Sequence, residues 1–232
     1  MDKKTALKYL NKNRLLNIDM IDSLESDEAA VIYASDNGVM IYIYAGDSYA
    51  ISADSDVEKI LVCAKPDADA FLAHQDFYLP LLKRQFGLNH EMRCFPAVYT
   101  KPNPPEYKID YEIKQLTPDH LETVLATYSH INNREYIERR IKDNYMYGAF
   151  LDGELMGYIG IHDEGAMGML EVLPQYRRKG IGYALEAFLI EDLLKKGRAP
   201  YAHILEDNIA SLSLQRKLGM DILEDKVTWV FK

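Results

Sequence analysis

Six consecutive residues, Arg177 to Gly182, combine three cations with two glycines in the order Arg-Arg-Lys-Gly-Ile-Gly. They follow a strand-like segment and precede a helix-like one. The N–H groups at the start of a helix, reinforced by the helix dipole, bind anions, and glycines let a phosphate approach the backbone closely. Arginine and lysine add charge-assisted hydrogen bonds. The run therefore predicts a phosphate site, against the plainer interpretation of a solvated basic loop, at Arg177, Arg178, Lys179, Gly180, Ile181 and Gly182.

Three segments of the sequence resemble the GNAT superfamily of N-acetyltransferases. Arg177, Gly180 and Gly182 match the acyl-CoA-binding motif Arg/Gln-x-x-Gly-x-Gly/Ala. Residues 208–220 resemble the closing helix of the superfamily, Asn-x-x-Ala/Ser-x-x-Leu-Tyr-x-Lys-x-Gly-Phe. Residues 165–174 look like the glycine N-acyltransferase-like branch, whose members carry an extra domain ahead of the catalytic one.

The resemblance implies an α+β protein whose second half has a GNAT fold, a mixed and mainly antiparallel central sheet flanked by helices. Acetyl-CoA would be the acyl donor, and the acceptor would be a primary amine of a small molecule. No metal is expected, because no set of His, Asp and Glu residues has the spacing typical of ligands. Two strands, 169–173 and 201–205, would splay to admit the pantetheine arm. Asn208 would contact that arm, although asparagine is equally suited to cap a helix. The implied cofactor contacts outside the loop are Leu170, Val172, Asn208 and Ser211.

Glu171 is the sequence's candidate for the general base that an ammonium acceptor needs. It is the only charged residue between Met167 and Leu173, and apolar neighbours raise the pKa of a carboxyl by desolvation. The competing interpretation is that strand alternation points Glu171 to solvent or to Arg178. Other candidates, each interpreted first as structural, are His162, Asp163, Glu164, His203 and Glu206.

Gln215 departs from the superfamily pattern, because many members have a tyrosine there that protonates the departing thiolate. An amide cannot donate a titrating proton at useful pH. A non-catalytic CoA-binding or regulatory protein is therefore an alternative to the enzyme, and a peptide or protein N-acetyltransferase is another.

The elements that must position these residues follow from periodicity and from turn signals. The sequence predicts a hairpin over 145–161, a strand over 167–173, a helix over 181–196, a strand over 201–205 and a helix over 208–218. Gly197 is suited to end the first of these helices, and Pro200 prevents it from resuming. The Arg177–Gly182 loop is thus predicted at a strand-to-helix junction.

The first half of the chain predicts a smaller α+β unit. A helix over 3–16, a three-stranded meander over 29–53, a strand over 59–64, a helix over 77–86 and a strand over 92–99 are expected. Residues 101–105, Lys-Pro-Asn-Pro-Pro, form an extended connector. We therefore predict two domains, 1–105 and 106–232, and one interpretation of the first is a degenerate GNAT-like copy. An acidic segment, 51–56, follows its meander where a phosphate loop would otherwise lie.

Composition narrows the partners. The net charge of −9 and the pI near 5.2 argue against nucleic-acid binding, and no apolar run is long enough to span a membrane. We expect a cytoplasmic protein, either monomer or homodimer. Cys63 and Cys94 are expected to be reduced structural thiols, with a nucleophilic Cys94 assisted by His90 as the alternative.

Overall fold

The computed structural model describes residues 2–128 and 133–232, which contain twelve strands and eight α-helices. The strands are β1 (Ala29–Ser35), β2 (Gly38–Ile43), β3 (Ser48–Ala53), β4 (Ala70–Ala73), β5 (His90–Val98), β6 (Glu112–Gln115), β7 (Met146–Leu151), β8 (Glu154–Ile161), β9 (Met167–Val172), β10 (Tyr201–Leu205), β11 (Asp221–Ile222) and β12 (Val227–Phe231). The helices are α1 (Lys3–Leu10), α2 (Ile18–Glu25), α3 (Val57–Leu61), α4 (Leu79–Phe86), α5 (Leu121–Thr127), α6 (Arg134–Lys142), α7 (Ile181–Lys195) and α8 (Ile209–Leu218).

The strands form two sheets. The larger has the order β1-β2-β3-β4-β12-β5-β10, with β11 also paired to β5, and the smaller has the order β6-β7-β8-β9. The β3–β4 pair is parallel, and the other pairs are antiparallel. The fold is therefore mixed α+β with mainly antiparallel sheets flanked by helices.

The last strand of the chain lies inside the part of the sheet that the first half builds. In β12, Val230 pairs with Phe71 of β4 on one side and with Glu91 of β5 on the other. Strand β5 in turn pairs with β10 from the second half. Strands from the two sides of residue 105 are thus joined by backbone hydrogen bonds. The division into domains 1–105 and 106–232 stays a prediction.

Helix α7 holds the two sheets together. Its buried residues Leu185 and Leu189 share a core cluster with Ile159 of the smaller sheet and Ile204 of the larger one. A separate cluster on the other face of the smaller sheet packs α5 and α6 against Tyr158 and Met169. A helix that covers the edges of two sheets fixes the distance between them, since buried cores are close-packed.

Predictions for the first half were partly wrong: the helix expected over 3–16 ends at Leu10 as α1, and helix α2 was not predicted. The strand predicted over 59–64 is wrong: residues 59–61 belong to helix α3 and 62–64 follow it, because Val57, Ile60 and Leu61 have the i, i+3, i+4 spacing of a helical face and are its buried residues. Strand β4 was not predicted, since four residues carry too little periodicity. In the second half, α7, β10 and the hairpin of β7 and β8 are confirmed.

Candidate functional site

A gap separates the two sheets at β9 and β10. These strands are neighbours, yet no backbone ladder joins them in the described residues 2–128 and 133–232. Met169 has φ +51° next to an irregularity in the β8–β9 pairing, and such bulges bend a strand away from its neighbour. The pair that was predicted to splay therefore does so.

The Arg177–Gly182 loop lies at the end of β9, where the gap meets the start of α7. Gly180 occupies the N-cap position with φ +81°, and no side chain among the described residues caps the helix there. The first helical hydrogen bond runs from the Ala184 N–H to the Gly180 carbonyl, 3.0 Å. The N–H groups of the first turn precede this bond and have no partner within the helix. A Cβ added at Gly180 would meet nothing within 4 Å, so the site is open.

Gly182 faces the interior side of the same gap. A Cβ added there would lie 3.5 Å from Val172, 3.8 Å from Leu170 and 3.9 Å from Leu214. These are ordinary van der Waals distances to β9 and α8. The face of α7 that carries Gly182 therefore forms one wall of a cleft whose other walls are β9 and α8.

Arg177 folds back over the end of β9. Its Nε donates to the Val172 carbonyl at 2.9 Å, and its guanidinium donates to Glu171 Oε1 at 3.0 Å. The Glu171 side chain, 22% exposed, thus has Arg177 as its partner, whereas the structural interpretation from sequence named Arg178. Arg178 and Lys179 are exposed, and the Lys179 ammonium lies 5.4 Å from the centre of the Tyr176 ring.

Asn208 and Ser211 begin helix α8. The Asn208 side chain accepts from the Ser211 N–H at 3.0 Å, and the predicted N-cap role is confirmed. Both residues are partly exposed. Gln215, further along the same helix, is 1% exposed and donates from Nε2 to Glu186 Oε1 at 2.7 Å.

A buried group of ionisable side chains lies on the other face of β10, away from α7. His203 in β10 has a side chain 5% exposed, 3.8 Å from Glu164, and neither ring nitrogen has a hydrogen-bond partner in the described chain. Burial opposes ionisation of Glu164, but His203 and the nearby His162 outweigh it and lower the pKa of that carboxyl. The Tyr136 hydroxyl pairs with His162 at 2.8 Å. The sequence placed His162 and Glu164 in one polar cluster at a hairpin turn and His203 on another strand, and the structure brings His203 to that cluster.

Asp19 and His74 extend this group into the first half and were missed in the sequence. His74 Nε2 lies 2.9 Å from Asp19 Oδ1, with both side chains fully buried. Burial disfavours both charges, but each partner outweighs it, so the pKa of Asp19 is lowered and that of His74 is raised. Asp19 belongs to α2 and His74 directly follows β4, two elements that the sequence did not predict, and nothing in the sequence marked the pair.

The two cysteines are free, with Cys63 exposed and Cys94 buried. Burial, together with the nearby carboxylates of Glu164 and Glu206, raises the pKa of the Cys94 thiol to about 12. A thiol with that pKa is not a nucleophile near neutrality, which argues against the alternative of a catalytic Cys94.

Residues 88–220 match the family model described as the acetyltransferase (GNAT) family, which is more than half of the chain. The chain belongs to this GNAT family. The match begins at β5 and ends at the close of α8, so it includes the gap, the Arg177–Gly182 loop and Gln215. No curated protein matches the chain.

Solved structures share the GNAT fold over nearly the whole length. A Drosophila protein has a TM-score of 0.71 at 16% identity and covers 99% of this chain and 95% of its own. A GNAT-family protein from Novosphingobium aromaticivorans has a TM-score of 0.60 at 18% identity, with 93% and 96% covered. A GCN5-related N-acetyltransferase from Kribbella flavida has a TM-score of 0.58 at 11% identity, with 93% and 95% covered. The likeness therefore extends to the first half of the chain as well.

The described residues show neither a membrane-spanning helix nor a metal-binding group. Among the described residues, no helix is both long and apolar enough to cross a membrane. Residues 2–128 and 133–232 also contain no group of three or more His, Cys, Asp or Glu side chains able to hold a metal ion.

Proposed function

We propose that this GNAT protein is an acyl-CoA-dependent N-acyltransferase that moves an acetyl group from acetyl-CoA to a primary amine of a small molecule, in the cytoplasm. One observation carries the proposal: the open N-terminus of α7, with Arg178 and Lys179 beside it, lies at the mouth of the gap between β9 and β10. An anion site beside two neighbouring strands that are not hydrogen-bonded to each other suits a ligand with a diphosphate and a long flexible arm.

The diphosphate would bind the first-turn N–H groups of α7, with Gly180 open to it and the loop cations around it. The pantetheine arm would run into the gap past Gly182 and pair with backbone groups near Leu170 and Val172. Asn208 and Ser211 at the start of α8 would line the other side. Backbone N–H groups of β9 in the gap would stabilise the oxyanion that forms when the amine attacks the thioester carbonyl.

The first half supports a tandem architecture with one cofactor site. Strands β1, β2 and β3 are followed by α3, a parallel strand β4, α4 and β5, which is the order of β7, β8, β9, α7, β10, α8 and the closing strands. In the first half, however, the inner strands are paired, with Tyr49 opposite Phe71 and Ile51 opposite Ala73. Because backbone hydrogen bonds join β3 to β4, no gap is left between them for a pantetheine arm. We infer that residues 1–105 are a degenerate copy without cofactor, an arrangement that suits the glycine N-acyltransferase-like branch.

Two groups compete for the role of general base. Glu171 lies at the loop end of β9, where Arg177 holds its carboxylate. His203 lies in the middle of β10, beside Glu164, with both ring nitrogens buried and unpaired in the described chain. An unpaired buried imidazole is costly unless water or a ligand completes its hydrogen bonds, and this favours His203 as the second candidate.

The two bases are separable by kinetics. Glu171→Gln is expected to lower kcat by roughly 100-fold, the typical size of a general-base contribution, if Glu171 is the base. CoA affinity would change little. His203→Asn is the matched variant, and a loss of kcat of this size in that variant alone would transfer the role to His203.

A non-catalytic CoA-binding protein is the second candidate function, because Gln215 is buried against Glu186 and has replaced the usual tyrosine. Calorimetric titration with CoA, together with CoA release from acetyl-CoA over a panel of amines, tests both. We expect binding in the micromolar range and CoA release with at least one small amine. Binding without release from any small amine or amine-terminated peptide would establish the binder, and release with peptides alone would favour a peptide acceptor.

A further inference from the structure

Glu186 and Gln215 form a buried polar pair between α7 and α8. Glu186 is 3% exposed and Gln215 is 1% exposed. Their single hydrogen bond, 2.7 Å from Gln215 Nε2 to Glu186 Oε1, leaves Glu186 Oε2 and Gln215 Oε1 buried without a partner in the described chain. Two orphaned oxygens in one buried pair are uncommon, since buried polar atoms are nearly always hydrogen-bonded. The pair therefore has capacity for a further hydrogen bond.

The pair lies along the wall of the gap. Glu186 follows Gly182 by four residues on α7, so both occupy one face of the helix about 6 Å apart. Gly182 faces Leu170 and Val172 of β9 and Leu214 of α8, and Leu214 is the neighbour of Gln215. Glu186 is thus one helical turn deeper than the proposed diphosphate site, in the direction that the pantetheine arm would take.

Burial keeps a substantial fraction of the Glu186 carboxyl protonated near neutrality. Burial raises the pKa of Glu186, the hydrogen bond from Gln215 offsets part of that rise, and the net pKa is about 7. No ionised side chain of residues 2–128 and 133–232 contributes to this pKa. In the protonated form, Oε2 carries a proton and has no acceptor for it.

We propose that Glu186, held in place by Gln215, donates a proton to the sulfur of CoA as the thioester breaks. The inference rests on the proposed acyl transfer. The amine nitrogen forms a bond to the acetyl carbon, the carbon–sulfur bond breaks with its electron pair on sulfur, and the Glu186 proton moves to that sulfur to give the free thiol. The acceptor nitrogen loses one proton as it becomes an amide, and that proton restores the Glu186 carboxyl. Glu186 thereby replaces the tyrosine that Gln215 has displaced.

The test is the pH dependence of kcat in the whole protein with acetyl-CoA and an accepted amine, from about pH 5 to pH 9. Because the acid form is the active one, wild-type kcat is expected to fall as the pH rises through about 7. Glu186→Gln is expected to lower kcat roughly 100-fold below pH 7 and to abolish this alkaline limb, with CoA affinity unchanged. Glu191→Gln is the matched control, since it makes the same change on α7 at a residue paired with Lys195, and it is expected to keep the wild-type profile.

A rescue separates proton donation from a purely structural role. Adding Gln215→Tyr to Glu186→Gln restores an ionisable O–H to α8, so kcat is expected to recover at least about 10-fold and to stay level up to about pH 9, because the ordinary tyrosine pKa is about 10. Wild-type kcat with no alkaline limb near pH 7, or a Glu186→Gln profile that matches wild type, would overturn the inference while the acyl transfer stood. Absence of CoA release by the wild type would overturn both.

Discussion

Gly180→Asp is expected to weaken CoA binding at least about 100-fold, equivalent to about 2.7 kcal/mol. The new carboxylate would stand at the N-cap of α7, where the diphosphate is proposed to bind, and like charges repel strongly at such distances. Its side chain would also occupy the space that is open above Gly180. Titration calorimetry with CoA measures the loss directly.

Gly197→Asp provides the matched control at the opposite end of the same helix. Gly197 also has a positive φ, +70°, and a Cβ there would also meet nothing within 4 Å. Both variants therefore carry the same charge change and a similar backbone strain of about 1–2 kcal/mol. If the two variants bind CoA equally well, or lose it equally, the Arg177–Gly182 loop is not the diphosphate site.

Neither residues 1–105 nor residues 106–232 are expected to fold when expressed alone. Removal of β12 from the larger sheet leaves β4 and β5 with no partner between them and uncovers the buried core beside Phe71. The second fragment loses β5, the partner of β10. The combined loss is expected to exceed the roughly 5–15 kcal/mol by which typical domains are stable. Thermal unfolding followed by circular dichroism should show no cooperative transition for either fragment.

A fragment with its missing strand restored is the control. Strands β5 and β12 are antiparallel neighbours, so a short turn can join residue 98 to residues 226–232. This hybrid is expected to regain a cooperative transition, and the two simple fragments are expected to co-purify when expressed together. Cooperative unfolding of the isolated 1–105 fragment would show that β12 is dispensable and that residue 105 is a true folding boundary.

Local order along the second half could be predicted from the sequence. Helix α7 has a left-handed glycine just past its end, Gly197, and α8 has its asparagine cap, Asn208. These signals act over a few residues, through backbone conformation and capping, so they need no knowledge of the rest of the chain. The Arg177–Gly182 loop belongs to the same class, since its residues are contiguous. Strand β4 and helix α3 were too short for such signals.

Only the tertiary structure decided which strands pair in the larger sheet, whereas the gap between β9 and β10 was expected from the resemblance to the GNAT superfamily. The sequence determined a GNAT-type loop and helices on its own, because their residues are neighbours in the chain. It could not show that β12 would lie between β4 and β5, nor that Glu186 would meet Gln215 or His203 would meet Glu164. These partners lie far apart in the sequence, and no local pattern indicates which of them will meet. Contacts of this kind arise from the packing of whole elements, whose geometry is fixed only when the core closes.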